Sequence, residues 1–105
     1  MLRGNLRRAL GLVRRRTHRG EPLRITLYER EGCGLCDEAH RALRRIGLDR
    51  PLEIERIDVD RDAALREPYT LRVPVLRLGA AELDAAGLGD GAIARWIAEA
   101  ERGSE

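Results

Sequence analysis

Leu23-Arg24-Ile25-Thr26-Leu27-Tyr28-Glu29-Arg30-Glu31-Gly32-Cys33-Gly34-Leu35-Cys36 holds both cysteines of the chain, placed between two different periodicities. Apolar residues alternate from Leu23 to Tyr28, the period of a β-strand. After the cysteines Ala39, Leu43 and Ile46 recur at helical spacing among Glu38, Arg41, Arg44 and Arg45. Gly32 and Gly34 loosen the turn between them. Cys33 therefore falls at or just before a helix start, where unpaired backbone N–H groups and the helix dipole favour an anion. A free thiol with a pKa near 8.5 is only about 3% ionised at pH 7, and C-x-x-C settings at helix starts lower that pKa to roughly 3.5–7.5. A second thiol one helical turn on can attack a mixed disulfide formed on the first and release the substrate. The spacing points to a dithiol redox site, with Cys33 as nucleophile and Cys36 as resolving thiol.

Other uses of two cysteines compete with this one. A structural staple would close a loop so small that the chain-entropy model credits it with only about 2 kcal/mol. A zinc or iron–sulfur site needs four ligands, and His18 and His40 are the only histidines. Such a site would need borrowed ligands or two chains meeting at the cysteines, as in a dimer sharing it through Cys33, so no metal is assigned. A non-catalytic adaptor is a further alternative.

The chain of 105 residues is sized for one domain with one small core. With no Phe, one Trp and two Tyr, that core must be built from Leu, Ile, Val and Ala. A single cysteine pair excludes a disulfide-stapled secreted scaffold. No apolar run approaches the roughly 20 residues that span a bilayer. Arg7, Arg8 and Arg14 interrupt any secretory signal. The expected location is the reducing cytoplasm.

The net charge of +2 conceals an asymmetry. Residues 1–20 carry seven arginines and no acid, whereas residues 21–105 carry thirteen arginines against eighteen acids. All twenty basic residues are Arg, a bias that reads as GC-rich coding and weakens the case for any single arginine. Residues 1–20 are read as a basic extension, and residues 21–105 as the domain. Leu2, Leu6, Ala9, Leu10 and Val13 share one helical face of the extension. Such a segment suits weak, salt-sensitive binding to an anionic surface and also resembles an Arg-rich organellar presequence. It has no aromatic residue to stack on bases, so nucleic acid is not an expected partner.

Beyond Gly20 the expected order is a strand at Leu23–Glu29, a helix at about Leu35–Ile46 and a strand at Leu52–Val59. The apolar phase of that second strand slips at Arg56, which signals either a bulge or a strand end buried on both faces. Asp60 is expected to cap a short helix that ends near Arg66, since Pro68 opposes extension. Strands at Val73–Leu78 and Ala81–Asp84 follow. Asp90 is the expected N-cap of a final helix whose Ile93, Trp96, Ile97 and Ala100 share a face. A β-α-β-α-β-β-α order with C-x-x-C opening the first helix outlines an α/β thioredoxin-like fold, with a central four-stranded mixed sheet and flanking helices.

Two blocks then resemble the glutaredoxin-like family, in particular small bacterial members whose active site reads Gly-Cys-x-Leu-Cys. These are Leu27–Asp37 around the cysteines and Tyr69-Thr70-Leu71-Arg72-Val73-Pro74-Val75-Leu76. The resemblance implies a thiol–disulfide oxidoreductase acting on protein or glutathione mixed disulfides, and covers roughly residues 22–102. It implies that Pro74 is cis and faces the cysteines, and that the backbone of Val73 bonds an extended substrate. Arg30, three residues before Cys33, and Arg72 are the candidate electrostatic partners of substrate, and Leu35 lines the site. Glu29, Glu31 and Asp37 oppose a thiolate. Gly34-Leu35 departs from the Pro-Tyr and Gly-Pro pairs of glutathione-using glutaredoxins and thioredoxins. The stretch Leu83–Asp90 lacks the Gly-Gly pair that holds glutathione. Glutathione is therefore one available reductant, no bound cofactor is expected, and the protein is expected to be a monomer.

Overall fold

The computed structural model describes residues 21–103. The reading of residues 1–20 as a basic extension lies outside the described residues. Strand β1 (Leu23–Glu29) leads to helix α1 (Gly34–Ile46), strand β2 (Leu52–Asp58), a 3-10 turn (Val59–Arg61) and helix α2 (Ala63–Tyr69). Strands β3 (Val75–Leu78) and β4 (Ala81–Asp84) and helix α3 (Asp90–Gly103) complete it. The strands form one mixed sheet in the order β2-β1-β3-β4. β1 and β2 are parallel across the α1 crossover, and β3 and β4 add antiparallel. Among the described residues no helix is long and apolar enough to cross a membrane.

The strand period assigns the two faces. Ile25 and Leu27 of β1, with Leu76 and Leu78 of β3, pack on Ala39, Ala42 and Leu43 of α1 and Ile93 and Ile97 of α3. Leu27, Leu43, Leu76 and Ile93 are fully buried, and each such side chain contributes about 1.5–3 kcal/mol of transfer free energy. Tyr28, Val59 and Val75 point to the other face, where Ile57, Leu65 and Tyr69 join them.

This two-faced burial explains the phase slip in β2. Pairing runs unbroken from Leu23↔Leu52 to Glu29↔Asp58, so there is no bulge. Ile54 joins the cluster under α1 and α3, whereas Ile57 joins the cluster under α2. The strand is apolar on one side at its start and on the other near its end.

Several boundaries differ from expectation. The first turn after β2 is 3-10, closed by Asp58, so α2 starts only at Ala63 with Asp62 as its cap, not Asp60. The Asp62 carboxylate accepts the N–H of Ala64 at 2.9 Å. Pro68 consequently lies inside α2 and removes one helical hydrogen bond there. β3 begins at Val75 and not Val73, because Pro74 has no N–H to give a ladder. Asp90 is the first residue of α3 and does not cap it. The carbonyl of Gly89 accepts the N–H of Ile93 at 3.1 Å, and the Asp90 carboxylate turns to Arg45 of α1 at 2.7 and 2.9 Å.

Candidate redox site

The cysteine pair is positioned by the end of β1 and the start of α1. Gly32 takes φ +74°, a left-handed conformation that glycine adopts at no steric cost, and turns the chain between the two elements. Cys33 follows in extended geometry (φ −101°, ψ 103°) as the N-cap of α1. Its Sγ accepts the backbone N–H of Cys36 at 3.1 Å, and its carbonyl accepts the N–H of Asp37 at 3.1 Å. Cys33 and Cys36 are disulfide-bonded, with their Cα atoms 5.2 Å apart. Cys36 is fully buried, on the inner face of α1 with Ala39, while Cys33 is half-buried. The pair thus combines one reachable sulfur and one shielded sulfur.

The register of β1 and β3 brings the second block to the same end of the sheet. Tyr28 pairs with Val75, so Val73 and Pro74 lie just beyond the ladder, level with the Arg30–Gly32 turn. The Val73–Pro74 peptide bond is cis, as the resemblance implied. Pro74 is fully buried, and its carbonyl accepts the N–H of Ala85 at 2.9 Å. Val73 donates its own N–H to the carbonyl of Tyr69 at 3.1 Å. Only its carbonyl has no hydrogen-bond partner among the described residues.

The arginines separate into different roles. Arg30 is exposed and lines an open cleft of about 280 Å³ with Glu31, Gly32, Asp37, Arg56 and Arg61, beside the Cys33 turn. Leu35, between the cysteines, is 46% exposed and presents an apolar surface. Arg72 is turned neither to the sulfurs nor freely to solvent. It pairs with Asp84 at 2.7 Å and Glu82 at 3.0 Å on β4, and these hydrogen bonds raise its pKa further above the ordinary arginine value.

Local pairing also moderates the acids near the thiol. Arg56 grips Glu29 through two bonds at 2.8 and 3.0 Å, so the carboxylate closest along β1 is compensated. His40 of α1 is held below the usual histidine pKa, first by burial and then by Arg56 and Arg44. It is therefore more readily neutral than a free imidazole.

An aromatic and ionic cluster behind Val73 has no local signature in the chain. The rings of Tyr28 and Tyr69 stack with centroids 4.4 Å apart, and the Arg72 guanidinium lies 5.1 Å from the Tyr69 ring centre. Tyr69 donates its hydroxyl to Glu82, and Arg77 reaches the hydroxyl of Tyr28 at 3.3 Å. Each partner comes from a different element. Only the aromatic character of Tyr28 and Tyr69, in a chain with three aromatic residues, could have drawn attention to them.

The family model for the glutaredoxin-like domain (DUF836) matches residues 24–98. An X-ray structure of the structural genomics target XcR50 from X. campestris is 37% identical, with a TM-score of 0.64, over 71% of this chain and 96% of that one. The solution structure of XcR50 gives a TM-score of 0.61 at the same identity, over 71% of this chain and 92% of that one. The glutaredoxin-like protein NrdH-redoxin from Escherichia coli, described as having a thioredoxin-like activity profile, is 28% identical with a TM-score of 0.54, over 70% and 93% of the two chains. No curated protein matches the chain. With a mixed sheet whose first helix opens on a bonded cysteine pair, and with most of its length matched, the chain belongs to the glutaredoxin-like domain family.

Proposed function

We propose that the protein is a thiol–disulfide oxidoreductase that reduces disulfides on protein substrates. The Cys33 thiolate attacks one substrate sulfur, the substrate S–S bond breaks, and the departing thiolate takes up a proton. Cys36 then loses its proton and attacks the mixed disulfide at the Cys33 sulfur, which releases the second substrate thiol. The substrate gains two electrons and the protein is left with the Cys33–Cys36 disulfide. The observation that carries this reading is the Cys33 sulfur at the N-cap of α1, on the Cys36 N–H and within bonding reach of a buried second sulfur. A thiolate there keeps a hydrogen bond and the positive end of a helix, both of which favour the charged form.

Two features favour protein substrates over an obligatory use of glutathione. The loop before α3 has no Gly-Gly pair, and the Asp90 carboxylate is held by both arms of the Arg45 guanidinium. The thioredoxin-like activity profile attributed to the glutaredoxin-like NrdH-redoxin is a precedent for that preference on this fold. The dithiol works as a monomer in a reducing cytoplasm, and Arg30 and Leu35 meet the incoming substrate. Trapping with Cys36→Ser tests the reading, since its Cys33 adducts lack a resolving thiol. Persistent mixed disulfides on Cys33, absent with Cys33→Ser, are expected. Equal yields from both variants would overturn the proposal.

A further inference from the structure

Resolution of a mixed disulfide on Cys33 needs the Cys36 thiolate, and the fold makes that anion hard to form. Cys36 is fully buried on the inner face of α1 with Ala39, Ala42 and Leu43, and apolar burial holds a thiol in its protonated form. Among the described residues nothing donates a hydrogen bond to its sulfur, and its own N–H goes to the Cys33 Sγ. The Cys36 proton therefore needs an acceptor close by. The acids nearby are engaged elsewhere or turned away. Glu29 of β1 is held by both arms of the Arg56 guanidinium of β2 at 2.8 and 3.0 Å. Asp58, opposite Glu29 in the β1–β2 register, accepts the N–H of Asp60 at 3.0 Å. Asp37 and Glu38 follow Cys36 on the exposed side of α1. His40 remains. It stands four residues after Cys36 on α1, a spacing that puts Cβ atoms about 5–6 Å apart on one helix face. Helical side chains also lean toward the N-terminus, over the preceding turn, which here holds Cys36. His40 is half-buried. Burial first, then Arg56 and Arg44, disfavour its cation against the opposing pull of Glu29 and Asp37. A neutral imidazole is a proton acceptor.

We propose that His40 takes the proton of Cys36 in the resolving step, directly or across one water, and so acts as the general base for release of the substrate. This rests on the redox reading above and names the destination of the proton that Cys36 gives up. The Cys36 S–H bond breaks, the proton passes to the free imidazole nitrogen, and the sulfur keeps the electron pair. That pair forms the bond to the Cys33 sulfur as the bond from Cys33 to the substrate sulfur breaks, and the substrate leaves as a thiolate. The imidazolium returns its proton to that thiolate or to water. No outside oxidant or reductant enters the step. The first attack does not use His40, since the N-cap already favours the Cys33 thiolate.

Stopped-flow reaction of the pre-reduced full-length protein with excess dithiobis(2-nitrobenzoate) reads the two steps apart. Attack by Cys33 releases one coloured aromatic thiolate in a phase that quickens with reagent concentration. Resolution by Cys36 releases a second in a phase that does not. His40→Gln is expected to slow the second phase about a hundredfold at pH 7 and to leave the first within about twofold. The deficit should close as pH rises toward the Cys36 pKa, where the thiol ionises without help. The unchanged protein carries the test alone if His40→Gln does not fold. Its second phase should rise with pH through the lowered His40 pKa and then level, whereas a buried thiol with no base keeps rising in proportion to hydroxide. A slowing of the second phase by less than about threefold would overturn the proposal, since a positioned proton acceptor is worth far more. Equal slowing of both phases at every pH, or a second phase that climbs without levelling in the unchanged protein, would overturn it too. Release of fewer than two thiolates per chain by the unchanged protein, or a second phase that quickens with reagent, would instead overturn the redox reading itself, and the base with it.

Discussion

Asp37→Asn should make Cys33 more acidic. Asp37 stands four residues after Cys33, and its N–H closes the first turn of α1 on the Cys33 carbonyl at 3.1 Å. Side chains at that spacing lie about 6 Å apart. Two unit charges at about 6 Å repel by roughly 0.7 kcal/mol in bulk water and several-fold more near a protein surface. Asp37 is exposed, so the value belongs toward the solvent end. One pKa unit corresponds to about 1.4 kcal/mol, so the Cys33 pKa should fall by about 0.5–1 unit in Asp37→Asn. The replacement keeps the size and the backbone N–H of the residue. The assay is the pH dependence of iodoacetamide modification of the reduced protein, followed by peptide mapping to separate Cys33 from Cys36. The shift should shrink at high salt, because an exposed pair is screened. An unchanged or raised Cys33 pKa would refute the placement of the thiolate on the first turn of α1.

Leu43→Ala removes a fully buried side chain at the centre of the α1–sheet–α3 core and should cost about 2–5 kcal/mol, read from urea unfolding. His40, whose pKa is lowered on folding, resists protonation in the native state, so the unfolded chain binds more protons below about pH 6.5. Stability should therefore fall as pH drops from about 6.5 through the lowered folded value, and His40→Gln should flatten that step in melts across pH 5–7.5. Glu82 behaves as a depressed carboxylate, held low by the Tyr69 hydroxyl and then by Arg72. Its contribution is present above about pH 4.5 and should be lost as pH falls through the folded value, an acid step that Glu82→Gln should remove from the melting profile.

Much of the active end was legible because it is local. Alternation marked β1 at Leu23–Glu29 and β4 at Ala81–Asp84, and the C-x-x-C marked the start of α1. Resemblance added the cis bond before Pro74, which spacing alone does not imply. What escaped depends on partners distant in the chain. Arg56 broke the alternation of β2 because its side chain is committed to Glu29 of the neighbouring strand, while Ile54 and Ile57 are buried under different helices. Pro68 opposes extension of α2, yet the helix runs through it to Tyr69 at the loss of one hydrogen bond, and the Thr70 N–H still reaches the Arg66 carbonyl at 2.9 Å. Arg72 was one arginine among twenty, and only the β3–β4 pairing shows that Glu82 and Asp84 wait for it. Asp90, a plausible cap in the linear chain, found a stronger partner in Arg45.

The most direct test of the redox claim is the stoichiometry of one turnover. Pre-reduced protein should be mixed with excess peptide disulfide, quenched with acid, alkylated and mapped by mass spectrometry. The expected result is one substrate disulfide consumed per chain, two substrate thiols released, and an intramolecular Cys33–Cys36 bond as the product. A chain that keeps both thiols free in the presence of the disulfide, or that carries a stable adduct on Cys36 with Cys33 unreacted, would contradict it.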